Sequence, residues 1–526
     1  MRNFQFPGRS TTYGEKHMVA TSHPVASAIA LKILNDGGNA VDAALAASGA
    51  LCMVEPHMTG IGGDCFVIYA PANGKPIALN GSGRAPKASD PDSLLAQNFS
   101  EISGSTPHAV TVPGAIDAWC RLHEDYGSLP LEALLTPAIR LAEDGCIITP
   151  RVAFDWANEA ARLTASPTAR DHFLMDGKPL GIGDRFRNPA LAMTLKQIAH
   201  HGRKGFYEGP IAENIVTFLN RLGGVHTTDD FATQKSFYVD PVTSNYQGHD
   251  VYECPPNGQG VIALLIMNIL DRYKQSVIST EADRIHLLAE ATKLAYAHRD
   301  EILADPTFSP GAAEELLSNA LAEELADKIN ISHALPGRPF EETEHKDTVY
   351  LCVVDKDGNA ISFINSLFNA FGSSLFEEKT GVLLHNRGAG FRLEPGHPNR
   401  LAGHKRPLHT IIPAMVFKDD LAVAPFGVMG GQYQATGQAN FLNRVLGQEL
   451  GLQEALDQPR SFAYGGPLVL ETVYDDSIAA DLVKRGHDVE RASTPLGGGQ
   501  AIWIDRNRGI LMGASDFRKD GCAIGI

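Results

Sequence analysis

The sequence predicts an α+β fold in which sheets and helices stack as a layered sandwich. Three observations lead there. β-rich runs lie towards both ends of the chain, long helical stretches lie between them, and 44% of the 526 residues are apolar, enough for a large core. No run reaches the roughly 20 apolar residues of a membrane-crossing helix, and no solenoid-type repeat is present.

From Ala26 to Val54 apolar residues recur at helical spacing, interrupted by Asp36-Gly37-Gly38-Asn39. Two helices separated by a glycine stop and an asparagine cap explain that pattern. Cys65 to Leu79 reads as a strand pair turning at Pro71-Ala72-Asn73-Gly74. Residues from about Leu129 to Leu222 are mostly helical, and Gly248 to Glu253 forms a short strand before the loop Pro255-Pro256-Asn257-Gly258. Ile262 to Ala304 and Pro310 to Ile331 return to helical spacing. Leu335 to Lys346 is polar, with Pro336-Gly337-Arg338-Pro339 and Glu341-Glu342-Thr343-Glu344, a composition suited to a surface segment where a new chain end could lie. Strands are expected again at Ala414 to Phe417, Leu421 to Pro425, Val469 to Leu470 and Ala501 to Ile504, with helices at Ala435 to Glu449 and Asp476 to Arg485.

The most informative stretch begins at Asp347-Thr348. Thr348 to Val354 is a β-run, Asp355-Lys356-Asp357-Gly358-Asn359 is a turn, and Ala360 to Leu367 returns. Pairing Val354 with Ala360 places Thr348 opposite Ser366, hydroxyl beside hydroxyl. If the chain is cut before Thr348, that residue carries both a nucleophilic oxygen and an α-amine of pKa near ~8, a built-in base.

The net charge of −16 argues against nucleic acid or an anionic membrane as partner. The first ten residues lack the apolar core of a signal peptide. Seven scattered cysteines (Cys52, Cys65, Cys120, Cys146, Cys254, Cys352, Cys522) without CxxC spacing read as reduced core thiols, which makes a cytoplasmic location the expectation. His385, His397, His404 and His409 fall close together but match no compact zinc motif, so no metal is expected. Neither a P-loop nor a Gly-x-Ser-x-Gly elbow is present.

An ordered set of segments spans nearly the whole chain: Met18-Val19-Ala20-Thr21-Ser22-His23-Pro24, Gly37-Gly38-Asn39-Ala40-Val41-Asp42-Ala43-Ala44 and Thr59-Gly60-Ile61-Gly62-Gly63-Asp64. It continues through Val112-Pro113-Gly114, Gly205-Phe206-Tyr207-Glu208-Gly209, Ala291 to Ala297, Val353 to Asn359, Lys405-Arg406-Pro407-Leu408 and Gly430-Gly431. With these segments the chain resembles the γ-glutamyltransferase family of autoprocessed N-terminal-nucleophile hydrolases. The resemblance implies a four-layer αββα sandwich and cleavage between Asp347 and Thr348. Residues 1–347 would form a large fragment and 348–526 a small one, both woven into one domain. It implies Thr348 as nucleophile, Ser366 as the hydroxyl contacting it, and Gly430 and Gly431 as the oxyanion pair. Without it, the glycines read as an ordinary strand-to-helix turn and Ser366 as a strand-end serine.

The match breaks at the substrate-recognition positions. Arg84, in Gly83-Arg84-Ala85-Pro86, sits two places later than the family's carboxylate-binding arginine. Phe368 replaces an asparagine, Arg387 and Gly390 replace the glutamine and aspartate that hold a donor amino group, and His409-Thr410 replaces a serine pair. Losing an aspartate and gaining an arginine turns a zwitterion pocket into an anion pocket. Asn386-Arg387-Gly388 and Pro407-Leu408-His409-Thr410 resemble the family's acylase-type branch, which includes oxamate amidohydrolases and cephalosporin-type acylases. The expected substrate is therefore a small amide bearing a carboxylate, bound by Arg387, His409, Thr410 and Arg84, with no cofactor. The alternative for Arg387 is a structural ion pair. Two other readings stay open, a glutathione-acting γ-glutamyl enzyme and a non-catalytic ligand binder. The partners implied are the small-molecule amide and the two fragments of one precursor, with self-association of the cleaved pair allowed.

Overall fold

Residues with both faces covered by apolar neighbours form the central strands of the first sheet, and the hairpin at Thr348 shows why. In the computed structural model, which describes residues 8–274, 278–337, 348–463 and 466–526, Tyr350, Cys352 and Val354 point into a core between two sheets. Val349, Leu351 and Val353 point into a second core under a helical layer. A strand buried on both faces reads as a continuous apolar run rather than an alternating one.

The fourteen strands of the two large sheets are β1 (Thr12–Gly14), β2 (Met18–Thr21), β3 (Asp64–Ala70), β4 (Ile77–Gly81), β5 (Phe237–Val239), β6 (Val242–Tyr246) and β7 (His249–Glu253). They continue with β8 (Val349–Val354), β9 (Ala360–Ser366), β10 (Ala414–Lys418), β11 (Leu421–Met429), β12 (Gly498–Asp505), β13 (Ile510–Ser515) and β14 (Cys522–Gly525). One sheet runs β14-β2-β8-β9-β3-β4-β5 and the other β1-β13-β12-β11-β10-β7-β6. Outside the first lie helices α1 (Pro24–Asn35) and α2 (Ala40–Val54); outside the second lie α3 (Gly260–Leu270), α4 (Glu281–Ile302) and α5 (Tyr433–Leu442). This is the four-layer αββα sandwich. Each large sheet takes strands from both sides of the 347/348 bond.

The predicted turn chemistry holds. Asn39 caps α2 by accepting from Val41 and Asp42 N–H, and Asp42 answers through Asn39 N–H at 3.0 Å. Asp355 Oδ1 accepts from Asp357 and Asn359 N–H, each at 3.0 Å, closing the five-residue turn between β8 and β9. Its other oxygen takes Ala40 N–H at 3.0 Å, which ties that turn to the start of α2.

Several edges differ from expectation. β11 continues past Pro425 to Met429, passing through a residue expected to end it. The helical run after Gly431 ends at Leu442 and passes into a single π-turn, Asn443–Gly447. β1, β2, β5, β6, β13 and β14 have no counterpart in the expected strands. Most are too short, or too mixed in polarity, to show a period. No helix among the described residues is long and apolar enough to cross a membrane.

Candidate active site

The register predicted for the Thr348 hairpin is the one observed. Val354 pairs with Ala360 and Val349 with Asn365, so Thr348 stands beside Ser366. Thr348 Oγ1 and Ser366 Oγ share a hydrogen bond of 3.1 Å, and both residues are buried. Ser366 Oγ also accepts Phe368 N–H at 2.9 Å, which orients its hydroxyl towards the threonine. Across the next strand, Ser366 is paired with Asp64. The glycines before Asp64 permit close backbone approach: a Cβ on Gly63 would stand 2.2 Å from Ser366 O, and one on Gly62 2.2 Å from Leu383 O. Asn365 Nδ2 holds the same loop through Thr59 Oγ1 at 2.7 Å.

Gly430 and Gly431 lie between β11 and α5 with φ of +124° and +55°, conformations that side chains disfavour. Their carbonyls accept from Tyr433 N–H at 3.0 Å and Gln434 N–H at 3.2 Å, which fixes both peptide planes at the start of α5. Gln432 is clamped in turn, because Tyr296 O–H donates to its carbonyl and Arg299 Nη1 to its side-chain oxygen. The Ala291–Ala297 segment thus serves the glycine turn through Tyr296. Gly497 packs beneath, and a Cβ on Gly430 would stand 2.8 Å from its Cα.

Arg387 is buried in the short 3-10 turn Arg387–Gly390. Its guanidinium lies over the Phe368 ring, 3.7 Å from the centroid, and Nη1 donates to Thr410 Oγ1 at 3.1 Å. Phe368 has φ of +78°, a strained backbone that directs its ring beneath the arginine. A continuous path therefore runs from Thr348 through Ser366 and Phe368 to Arg387.

Behind Arg387 sits a buried group that the expected site left out. Asp64 Oδ1 accepts from Gly83 N–H at 3.0 Å and Gly114 N–H at 3.1 Å. Its Oδ2 accepts His409 Nε2–H at 3.0 Å and lies 3.6 Å from His385 Nδ1. Burial alone would push the Asp64 carboxyl up, but His385, His409 and Arg387 outweigh it and hold it below the ordinary carboxylate range. Burial and then the Arg387 charge push His409 down to about 3, and burial lowers His385 as well.

The structure brings Thr348, Ser366, Phe368, Arg387 and Thr410 together. His409, also expected at the substrate, has both ring nitrogens engaged within the protein: Asp64 takes one and Ile411 N–H donates to the other at 3.4 Å. Arg84, the other expected recognition residue, lies on a partly exposed loop, where its guanidinium donates to His404 O at 2.6 Å and lies 3.7 Å from Asp305. Gly390 accepts from Asn399 Nδ2 at 2.7 Å. Asp347 lies outside the described residues, as does most of the expected surface segment before it. Asp64 was visible as the end of the glycine-rich segment, whereas the role of His385 had no local signal. The Lys405–Leu408 segment is structural in part, with Arg406 Nε donating to Ser82 O at 3.0 Å.

Among the described residues one trio, His286, Glu290 and His487, has metal-ligand spacing. Its donors are engaged within the protein: Glu290 takes Lys293 Nζ at 2.8 Å and Leu335 N–H at 2.7 Å, and the imidazoles bond each other at 2.8 Å. The seven cysteines are free thiols, six of them buried.

A family model described as gamma-glutamyltranspeptidase matches residues 26–526. The glutathione hydrolase-like YwrD proenzyme of Bacillus subtilis (strain 168) is 38% identical, with 98% of this chain and 99% of the relative covered. The oxamate amidohydrolase proenzyme of Klebsiella pneumoniae subsp. pneumoniae is 35% identical, covering 97% of this chain and 98% of the relative. The crystal structure of cephalosporin acylase from Bacillus halodurans superposes with a TM-score of 0.93 at 37% identity, covering 100% of this chain and 99% of the other.

Proposed function

The chain belongs to the gamma-glutamyltranspeptidase family, whose proenzymes are hydrolases of amide bonds, and we propose that it hydrolyses a small amide whose acyl group carries a carboxylate, oxamate being the simplest example. One observation carries this reading: the nucleophile's hydroxyl partner, Ser366, binds the residue whose ring underlies the buried Arg387. A fixed guanidinium close to the reacting hydroxyl favours a short acid over a long zwitterion.

In the proposed processing step, Thr348 Oγ attacks the Asp347 carbonyl carbon, the peptide C–N bond breaks to give an ester, and water hydrolyses the ester. Asp347 leaves as a carboxylate and Thr348 gains its free amine. In turnover that amine takes the Thr348 hydroxyl proton as the oxygen attacks the substrate amide. Gly430 and Gly431 N–H donate to the oxyanion, a contribution of about 3–4 kcal/mol per donor in comparable sites. The amine passes its proton to the departing ammonia or amine. Water, deprotonated by the same group, then cleaves the acyl ester. Apart from the water consumed in each hydrolysis, the proposed steps use protein groups. Transfer to a second amine in place of water is part of the same chemistry and depends on an acceptor reaching the ester before water does.

The test is denaturing mass analysis followed by turnover. Fragments of about 37 and about 19 kDa, scaled from chain length, are expected, the smaller beginning at Thr348. Oxamate should be turned over faster than glutathione. Preference for glutathione would move the protein to the γ-glutamyl reading, and a stable uncut chain without turnover would support a binding role. A cytoplasmic location is proposed from the free thiols; fractionation of a producing cell tests it, and recovery outside the cytoplasm would refute it.

A further inference from the structure

One buried amide joins the acyl end of the site to the glycine turn. Gln259 is fully buried and immediately precedes α3, at the close of the loop Pro255-Pro256-Asn257-Gly258. Backbone bonds lay that loop beside the 407–410 segment. His409 N–H donates to Asn257 O at 2.8 Å, and Gln259 N–H donates to His409 O at 2.9 Å. Asn257 Nδ2 adds a bond of 2.7 Å to Pro407 O, and Gly258 pairs with His409 in a short parallel bridge. Gln259 is thereby delivered to Thr410.

Its side chain then reaches in two directions. Nε2 donates to Thr410 O at 3.1 Å and to Gly431 O at 3.4 Å, while Oε1 accepts from Arg299 Nη1 at 2.9 Å. A guanidinium only donates and a carbonyl only accepts, so the amide has a single satisfied orientation. Arg299 is itself held: it is fully buried, lies over the Tyr296 ring at 4.5 Å and also donates to Gln432 Oε1. Thr410 Oγ1 accepts from Arg387, and Gly431 is one of the two proposed oxyanion donors. Gly431 O also accepts Gln434 N–H, a bond within its own turn, whereas the Gln259 bond crosses to the acyl side.

We propose that Gln259 is a positioning residue that sets the span between the carboxylate-binding side chains and the oxyanion turn, and so selects acyl groups by length. It acts through two backbone carbonyls and touches no reacting atom. With the span fixed, a carboxylate seated at Arg387 and Thr410 brings the amide carbonyl to Gly430 and Gly431 only if the two groups stand close together in the substrate. A misplacement of about 1 Å at the reacting centre is enough to cost much of the rate. The inference rests on the roles proposed above for Arg387, Thr410 and the glycine pair.

The test compares cleaved wild type with Gln259→Met, a side chain of similar length that cannot make these bonds. The substrates are oxamate, malonamate and succinamate, in which carboxylate and amide stand progressively further apart, and acetamide, which has no carboxylate. Ammonia release gives the rates. Wild-type kcat/KM should fall along the acid series. In Gln259→Met, kcat on oxamate should drop roughly tenfold with KM little changed, as expected for lost hydrogen bonds that matter in the transition state. The length preference should flatten, and acetamide turnover should stay within about twofold of wild type, because no carboxylate has to be placed. If Gln259→Met is not recovered as cleaved protein, Gln259→Glu, which keeps the Arg299 contact and loses the donor, is read in the same way. Equal losses on oxamate and acetamide would make the role purely structural and overturn the inference, as would an unchanged variant or a flat wild-type series. Wild type that turns over none of the three acids would overturn the anion pocket itself, and the inference with it.

Discussion

The two ends of the site are built differently. At the end proposed to carry the nucleophile, Thr348 and Ser366 are set by strand register, and the proposed oxyanion glycines Gly430 and Gly431 by backbone conformation at the end of β11. At the acyl end, Arg387, Thr410, Asp64, His409 and His385 come from separate segments and are held by side-chain charge and hydrogen bonds. In the proposed reaction the first arrangement would meet only the atoms every amide shares. The second can change with a few substitutions, because loops tolerate them and charge sets what they bind. On the proposed function, chemistry would be carried by the sheets and specificity by the loops.

Breaking each end should give distinct signatures. The largest effect is expected for Thr348→Ala, which removes the nucleophile: the protein should run as one chain of 56.5 kDa on denaturing gels and show no turnover. Next is Gly430→Ala, whose Cβ would stand 2.8 Å from Gly497 Cα at a φ of +124°. Steady-state kinetics on any cleaved protein should show kcat falling roughly 10²–10³-fold with KM little changed, the signature of a lost oxyanion donor. At the acyl end, Arg387→Ala should lower kcat/KM for carboxylate-bearing amides by about 2–3 kcal/mol, roughly 30–150-fold, and spare a neutral acyl amide. Equal losses on both substrates would assign Arg387 to the structure and dissolve the contrast.

The smallest effect concerns stability. The Asp64 carboxyl is held below its ordinary value in the folded state, so it contributes stability above the unfolded carboxylate range near ~4. That contribution is lost as pH falls through the folded value. Urea midpoints measured from neutral to acid pH should therefore drop less steeply in Asp64→Asn than in wild type. A parallel slope would mean that the His409 contact adds nothing.

The nucleophile end was legible from sequence for a physical reason. A five-residue turn between two apolar runs fixes pairing by counting, so Thr348 meets Ser366 without knowledge of anything else. The oxyanion role proposed for the glycine pair came only through the resemblance, since a strand-to-helix turn looks the same locally. At the acyl end, residue identity did not reveal direction. His409 lies beside Thr410, yet Asp64, far away in the chain, draws its ring inward. Arg84 was expected in the pocket although it sits two places later than the family's arginine, and a carbonyl on the 404 loop and Asp305 engage its guanidinium. The short edge strands of the fold were hidden for a related reason: three or four residues show no period, and partners distant in sequence define them.

The alternation of strands from either side of residue 347 has one more consequence. In the first sheet, β2 and β3 flank the β8–β9 hairpin, and β14 closes the far edge against β2. A cut at Thr348 therefore severs the thread without loosening the cloth: neither piece can depart while the other keeps its shape. Two differently labelled batches of cleaved protein, mixed under native conditions, should never yield hybrids. Each molecule would keep for life the two halves that were once its own single chain.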